Sequence, residues 1–104
     1  MEEVSRRKNC QQYVEEAKLK NCRDYGKIQY HCVINSFGNQ SLEVCAPEKI
    51  IFGFCTEFNQ EIGKILANYY LDCTTFMPPC EKKYYSSNAY LYKGCYNYSN
   101  NMKV

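Results

Sequence analysis

Eight cysteines, Cys10, Cys22, Cys32, Cys45, Cys55, Cys73, Cys80 and Cys95, are spread along almost the whole of a 104-residue chain. A short chain this rich in Cys reads as a disulfide scaffold, because a domain near this size buries a thin core and bridges supply the remaining stability. The gaps between successive cysteines are 11, 9, 12, 9, 17, 6 and 14 residues. No C-x-x-C pair places two thiolates on one ion, so the spacing suits neither a structural zinc site nor a dithiol redox centre. The single histidine, His31, precedes Cys32, and on a strand the two side chains point to opposite faces. All eight cysteines are therefore expected in four disulfides, with no metal and no cofactor. Each bridge is worth about 2–4 kcal/mol. Eight cysteines leave 105 pairings open.

Disulfides imply an oxidising destination. The chain starts MEEVSRRKNC with no apolar leader, which reads as a mature, secreted form whose signal peptide has been replaced by an initiator Met. Two acceptor sequons, at Asn39 and Asn97, agree with an extracellular, glycosylated protein. The net charge of +2 is too small to drive binding to nucleic acid or a membrane surface, and no apolar run is long enough to span a bilayer. A monomer is expected.

Residues 1–9 are mostly charged, including the run Arg6-Arg7-Lys8, and read as a flexible N-terminal tail. Residues 10–98 form one disulfide-rich domain, and 99–104 a polar C-terminal tail. Within the domain Cys10, Tyr13, Val14 and Ala17 follow helical spacing, with Asn9 as N-cap and a Glu16–Lys20 pair. Ile28, Tyr30, Cys32 and Ile34 then alternate with Lys27, Gln29, His31 and Val33, and the turn 35–39 leads to Leu42 and Val44, which predicts a hairpin over about 27–45. Pro47 ends it. Residues 49–58 carry apolar side chains on both faces and read as one central strand. Residues 60–72 fit helix or strand, with strand preferred after Gly63. Pro78-Pro79-Cys80 is a rigid extended element. Residues 83–98 read as a second, tyrosine-rich hairpin around Ser86-Ser87-Asn88. The fold class is thus small, disulfide-rich and mainly β, with one short N-terminal helix and two hairpins.

No nucleophile–base pair, P-loop or metalloprotease motif occurs, so no enzymatic activity is expected. Tyrosine carries the stronger signal. Eight of the 11 tyrosines fall between Tyr69 and Tyr98, and Tyr offers a large rigid face with little rotamer entropy to lose on binding. Half of such a run serves equally well as core filling. Charge shifts along the chain as well: residues 1–63 carry eight basic and nine acidic groups, and 64–104 carry five and two. The bet for a partner-binding surface is therefore the loop residues Met77, Pro78 and Pro79 with Lys82, Lys83, Tyr84, Tyr85, Tyr90 and Tyr92. Its partner would be an extracellular protein.

The stretch Cys55 to Asn59, then Cys73, Pro78-Pro79-Cys80 and the ending Ala89 to Tyr96 resemble small secreted cysteine-rich salivary proteins of hard ticks. The resemblance covers about residues 28–96. It departs from the chemokine-binding evasins, where a close C-x-x-x-C pair stands. What it implies is an effector that binds and inhibits a host immune or haemostatic protein, such as a complement component, a cytokine or chemokine, or a clotting factor. The alternative it implies is a serine protease inhibitor acting through the disulfide-braced loop around Met77.

Overall fold

The computed structural model describes residues 2–5, 10–17, 22 and 28–97. Its strands in chain order are β1 (Glu2–Ser5), β2 (Ile28–Asn35), β3 (Ser41–Pro47), β4 (Ile50–Ile51), β5 (Phe54–Asn59), β6 (Lys64–Asp72) and β7 (Tyr84–Tyr85). One sheet runs β1-β3-β2-β5-β6, and β4 pairs separately with β7. A mainly β, four-disulfide architecture is what the cysteine count and the alternation call for.

The expected hairpin forms from β2 and β3, in register from Ile28 opposite Pro47 to Ile34 opposite Ser41. Asn35 builds its turn: its Oδ1 accepts the Asn39 amide at 3.0 Å, and Gly38 takes φ 68°. Because β2 is central, both of its faces are covered. Tyr30 and Cys32 pack with Cys10 and Val14, while Val33 and Ile34 join Leu42, Val44, Phe58 and Ile65 in the main core.

Several sequence expectations are corrected. Glu2–Ser5, read as tail, pair with β3 as an edge strand; edge pairing is made through backbone groups, so polar composition is no obstacle. The N-terminal helix shrinks to a 3-10 turn at Cys10–Tyr13 and one α turn, α1, at Val14–Ala17. Asn9, Lys20 and the Arg6-Arg7-Lys8 run lie outside the described residues, as do 98–104. The single strand expected over 49–58 breaks at Gly53, whose φ of 74° turns the chain, and its halves enter different sheets. Residues 64–72 are strand, antiparallel to β5.

The second hairpin does not form at 83–98. Tyr84 and Tyr85 pair with β4 instead of with a returning strand, and the chain continues as 3-10 helices at Ser86–Leu91 and Lys93–Tyr96. Tyr92 N–H donates to Ala89 O and Cys95 N–H to Tyr92 O, both at 3.0 Å, and this tight winding brings Cys95 back under β5. The hairpin in this half of the chain is β5–β6.

The bridges are Cys10–Cys32, Cys22–Cys45, Cys55–Cys95 and Cys73–Cys80. Two of them fasten the N-terminal segment to the first hairpin, one ties the C-terminal winding to β5, and one closes a seven-residue separation. Gly94 allows that winding to lie on the last loop. A Cβ there would come within 2.7 Å of the Phe76 ring and 3.0 Å of its Cβ. Gly94→Ala should therefore lower stability by roughly 1–3 kcal/mol through overpacking, read as a fall in the urea midpoint. An unchanged midpoint would show that Phe76 moves aside freely.

Candidate partner-binding surface

The β4–β7 pair decides which aromatic side chains face solvent. Ile51 stands opposite Tyr84 and Ile50 opposite Tyr85; directly opposed residues share a face, so one couple is buried and the other exposed. Tyr84 is only 6% exposed. Its hydroxyl donates to Phe54 O and accepts from Thr56 Oγ1 at 2.9 Å, and burial pushes its pKa up to about 12. Tyr84 is thus a core residue, and its place among the expected contact residues is corrected.

The remaining candidates divide. Tyr85 is exposed. Tyr92 is half-buried, its ring edge-to-face with Tyr84 at 4.8 Å. Tyr90 is half-buried and donates to Glu15 Oε2 at 2.7 Å, linking the 3-10 winding to α1. Lys82 and Lys83 are exposed. Met77, Pro78 and Pro79 project on the loop closed by Cys73–Cys80, with Met77 88% exposed. Asp72 fixes the start of this loop by accepting Thr74 N–H at 3.0 Å, and Cys80 N–H donates to Cys73 O at 2.9 Å. Asn39 and Asn97 are both exposed.

Tyr85 and Tyr92 line an open groove of about 360 Å³ together with Ile50, Leu91, Asn88 and Lys83. Ile50 also borders a second hollow of about 180 Å³, formed with Phe52, Phe54 and Tyr69. Phe52 and Phe54 continue into a third beside Thr74 and Lys82. The three depressions share walls, and the result is one aromatic and aliphatic strip crossing the β4–β5 corner. Ile50, Phe52, Leu91 and Tyr69 were not among the sequence candidates. The signal for them is the run Ile50-Ile51-Phe52-Gly53-Phe54: a Gly inside an apolar run marks a break, and a broken run cannot bury all its side chains.

His31 joins β2 to the start of the 3-10 winding that follows Tyr85. Its Nε2 lies 2.8 Å from Ser86 Oγ and its Nδ1 3.0 Å from Gln29 O, and burial lowers its pKa. Both His31 and Ser86 are buried, so the pair fastens β2 to the 3-10 winding and presents no nucleophile to solvent. The sulfurs of Cys55, Cys73 and Cys95 lie within 4.8 Å of one another, yet each belongs to a disulfide and offers no thiolate.

No protein-family model, no curated protein and no solved structure matches the chain.

Proposed function

We propose that this is a secreted effector that binds and inhibits a host immune or haemostatic protein, in the manner implied by its resemblance to tick salivary proteins. The observation that carries the reading is the aromatic strip running through Ile50, on a scaffold whose four disulfides suit an extracellular setting. Exposed rigid aromatics on a disulfide-braced surface lose little entropy on docking, which favours protein–protein contact.

Surface plasmon resonance against complement components, chemokines and clotting factors tests it. Ile50→Asp and Leu91→Asp, both at exposed positions, should each weaken binding roughly tenfold or more. Absence of binding in all three groups sinks the proposal, and binding that survives both substitutions relocates the surface.

A second reading draws on the exposed Met77 in its closed loop: a serine protease inhibitor. Inhibition of a protease that is lost in Met77→Asp and kept in Ile50→Asp would favour it.

A further inference from the structure

The turn between β2 and β3 carries a side chain that neither its backbone nor the core uses. Gly38 N–H donates to Asn35 O at 3.0 Å, so Ser36 and Phe37 are the two central residues, and Gly38 follows at φ 68°. Turns favour residues that accept a positive φ, fix φ or bond the local backbone, and Phe does none of these. Phe37 is 78% exposed. Asn39, two residues on, is exposed as well and opens the sequon Asn39-Gln40-Ser41. Its Oδ1 accepts from Asn35 Nδ2 at 2.7 Å, and its backbone N–H donates to Asn35 Oδ1 at 3.0 Å. Asn39 is thus held at its backbone and its side-chain carbonyl. Its Nδ2, the atom that carries an N-linked sugar, has no partner among the described residues.

We propose that Asn39 carries an N-linked glycan whose first N-acetylglucosamine stacks on the Phe37 ring, covering the exposed aromatic and stabilising the hairpin. In the attachment step Asn39 Nδ2 bonds to C1 of an oligosaccharide carried on a lipid pyrophosphate. The C1–O bond breaks, the pyrophosphate leaves with the electron pair, and Nδ2 releases one proton. Attachment acts on the unfolded chain, so the burial of Ser41 in the finished hairpin is no obstacle. The α-carbons of Phe37 and Asn39 are at most about 7 Å apart, within reach of the sugar ring. One face of that ring is a set of C–H bonds with slight positive charge, and the face of an aromatic ring is negative, so the two attract while both leave water. The sequon at Asn97 differs, since the residue two before it is the buried, disulfide-bonded Cys95. The turn stands at one end of β3, and Pro47, three residues before Ile50, at the other, so the glycan and the groove at Ile50 are compatible on one molecule. The glycan needs only the extracellular setting that the four disulfides suit, whichever host protein is bound.

The test uses the full chain with Asn97→Gln, so that Asn39 holds the remaining sequon. It is secreted, behind an added signal peptide, from mammalian cells that keep high-mannose glycans, and made without glycan in a bacterial periplasm. Mass spectrometry should find Asn39 occupied. Trimmed by endoglycosidase H to a single N-acetylglucosamine, the chain should show in urea unfolding a folding constant roughly fivefold above that of the unglycosylated form. In Phe37→Ala, at a position outside the core, the same sugar should give no such gain, and the cycle of the four forms separates the contact from what each change does alone. Nuclear magnetic resonance supplies a second readout: ring-current upfield shifts of the sugar protons, present with Phe37 and absent from Phe37→Ala. An unoccupied Asn39, a gain that is the same in both backgrounds, or the absence of ring-current shifts overturns the assignment.

Discussion

Replacing Cys55 and Cys95 together by alanine is expected to be the most damaging of the four possible bridge deletions. The two are 40 residues apart in sequence, the longest loop that any of the bridges closes, and the loop-entropy relation assigns such a closure about 4 kcal/mol. The Cys73–Cys80 bridge spans seven residues and on the same relation contributes about 2.4 kcal/mol. The Cys10–Cys32 and Cys22–Cys45 bridges, at separations of 22 and 23, fall between. Local bonding reinforces the ranking. Cys55, Cys95, Cys73 and Cys80 are all buried in the main core, but the Cys73–Cys80 loop also carries its own backbone bonds from Cys80 to Cys73 and from Phe76 to Cys73, which remain when the bridge is removed. Guanidinium unfolding of the four double-alanine variants should therefore order the midpoints by loop length, with the 55/95 variant lowest and native only at low denaturant. A 73/80 variant that falls further than the 55/95 variant would show that local strain, and not closure of the long loop, governs stability.

The same bridge explains why the C-terminal third was harder to read than the first hairpin. Over residues 28–47 two independent signals agree: a two-residue repeat, broken only at Val33, and a turn whose Asn35 and Gly38 satisfy the backbone of the reversal. At 83–98 the alternation of Tyr90 and Tyr92 imitates a strand. The competing period, in which Ala89, Tyr92 and Cys95 recur every third residue and link by 3-10 bonds, is short and has no composition of its own. Only the need for Cys95 to reach Cys55 selects it, and that pairing is one of many the spacing allows. The candidate surface shows the same division between local and long-range information. Tyr84 and Tyr85 are neighbours of identical chemistry, and nothing local distinguishes the core residue from the exposed one. The distinction arises when β4 supplies Ile51 and Ile50 as their partners. That register also leaves Ile50 in solvent, joining the groove of Tyr85 and Leu91 to the hollow of Phe52 and Tyr69. By contrast, the display of Met77 between Cys73 and Cys80 was legible, because two prolines and a close cysteine pair cannot be folded into a sheet interior.

Acidification should loosen the joint between β2 and the 3-10 winding. Gln29 O can only accept a hydrogen bond, so His31 Nδ1 carries the hydrogen and Nε2 is left as acceptor for the Ser86 hydroxyl, 2.8 Å away. Ser86 Oγ in turn accepts Lys49 N–H at 2.9 Å, and Ser86 N–H donates to Lys49 O at 2.7 Å. A second proton on His31 removes the acceptor of the Ser86 hydroxyl hydrogen: Oγ could still accept from both His31 and Lys49 N–H, but its own buried hydrogen would lose its partner. Desolvation is the leading cause of the lowered His31 pKa, partly offset by the bond to Gln29 and by the negative charge of Glu48, which itself accepts from Ser87 Oγ. A base whose pKa is lower in the folded chain binds its proton preferentially when unfolded. Stability is therefore complete above the unfolded value of 6.5 and is lost as pH falls from there toward the folded value, at up to about 1.4 kcal/mol per pH unit. Glu57 acts in the opposite sense. Burial raises its pKa, so protonation of this carboxyl favours the folded chain as pH falls through its folded value toward 4.5, and the gain levels off below that. The informative measurement is accordingly the difference between urea unfolding of the wild type and of His31→Gln across pH 7 to 4, since Glu57 contributes equally to both. The variant should start less stable, and its deficit against the wild type should shrink as pH falls; parallel curves would remove His31 as the origin. Lys49 and Ser86 flank the β4–β7 pair directly, so the same titration should weaken the binding proposed for Ile50 and Tyr85 before the chain unfolds as a whole, with recovery on return to neutral pH.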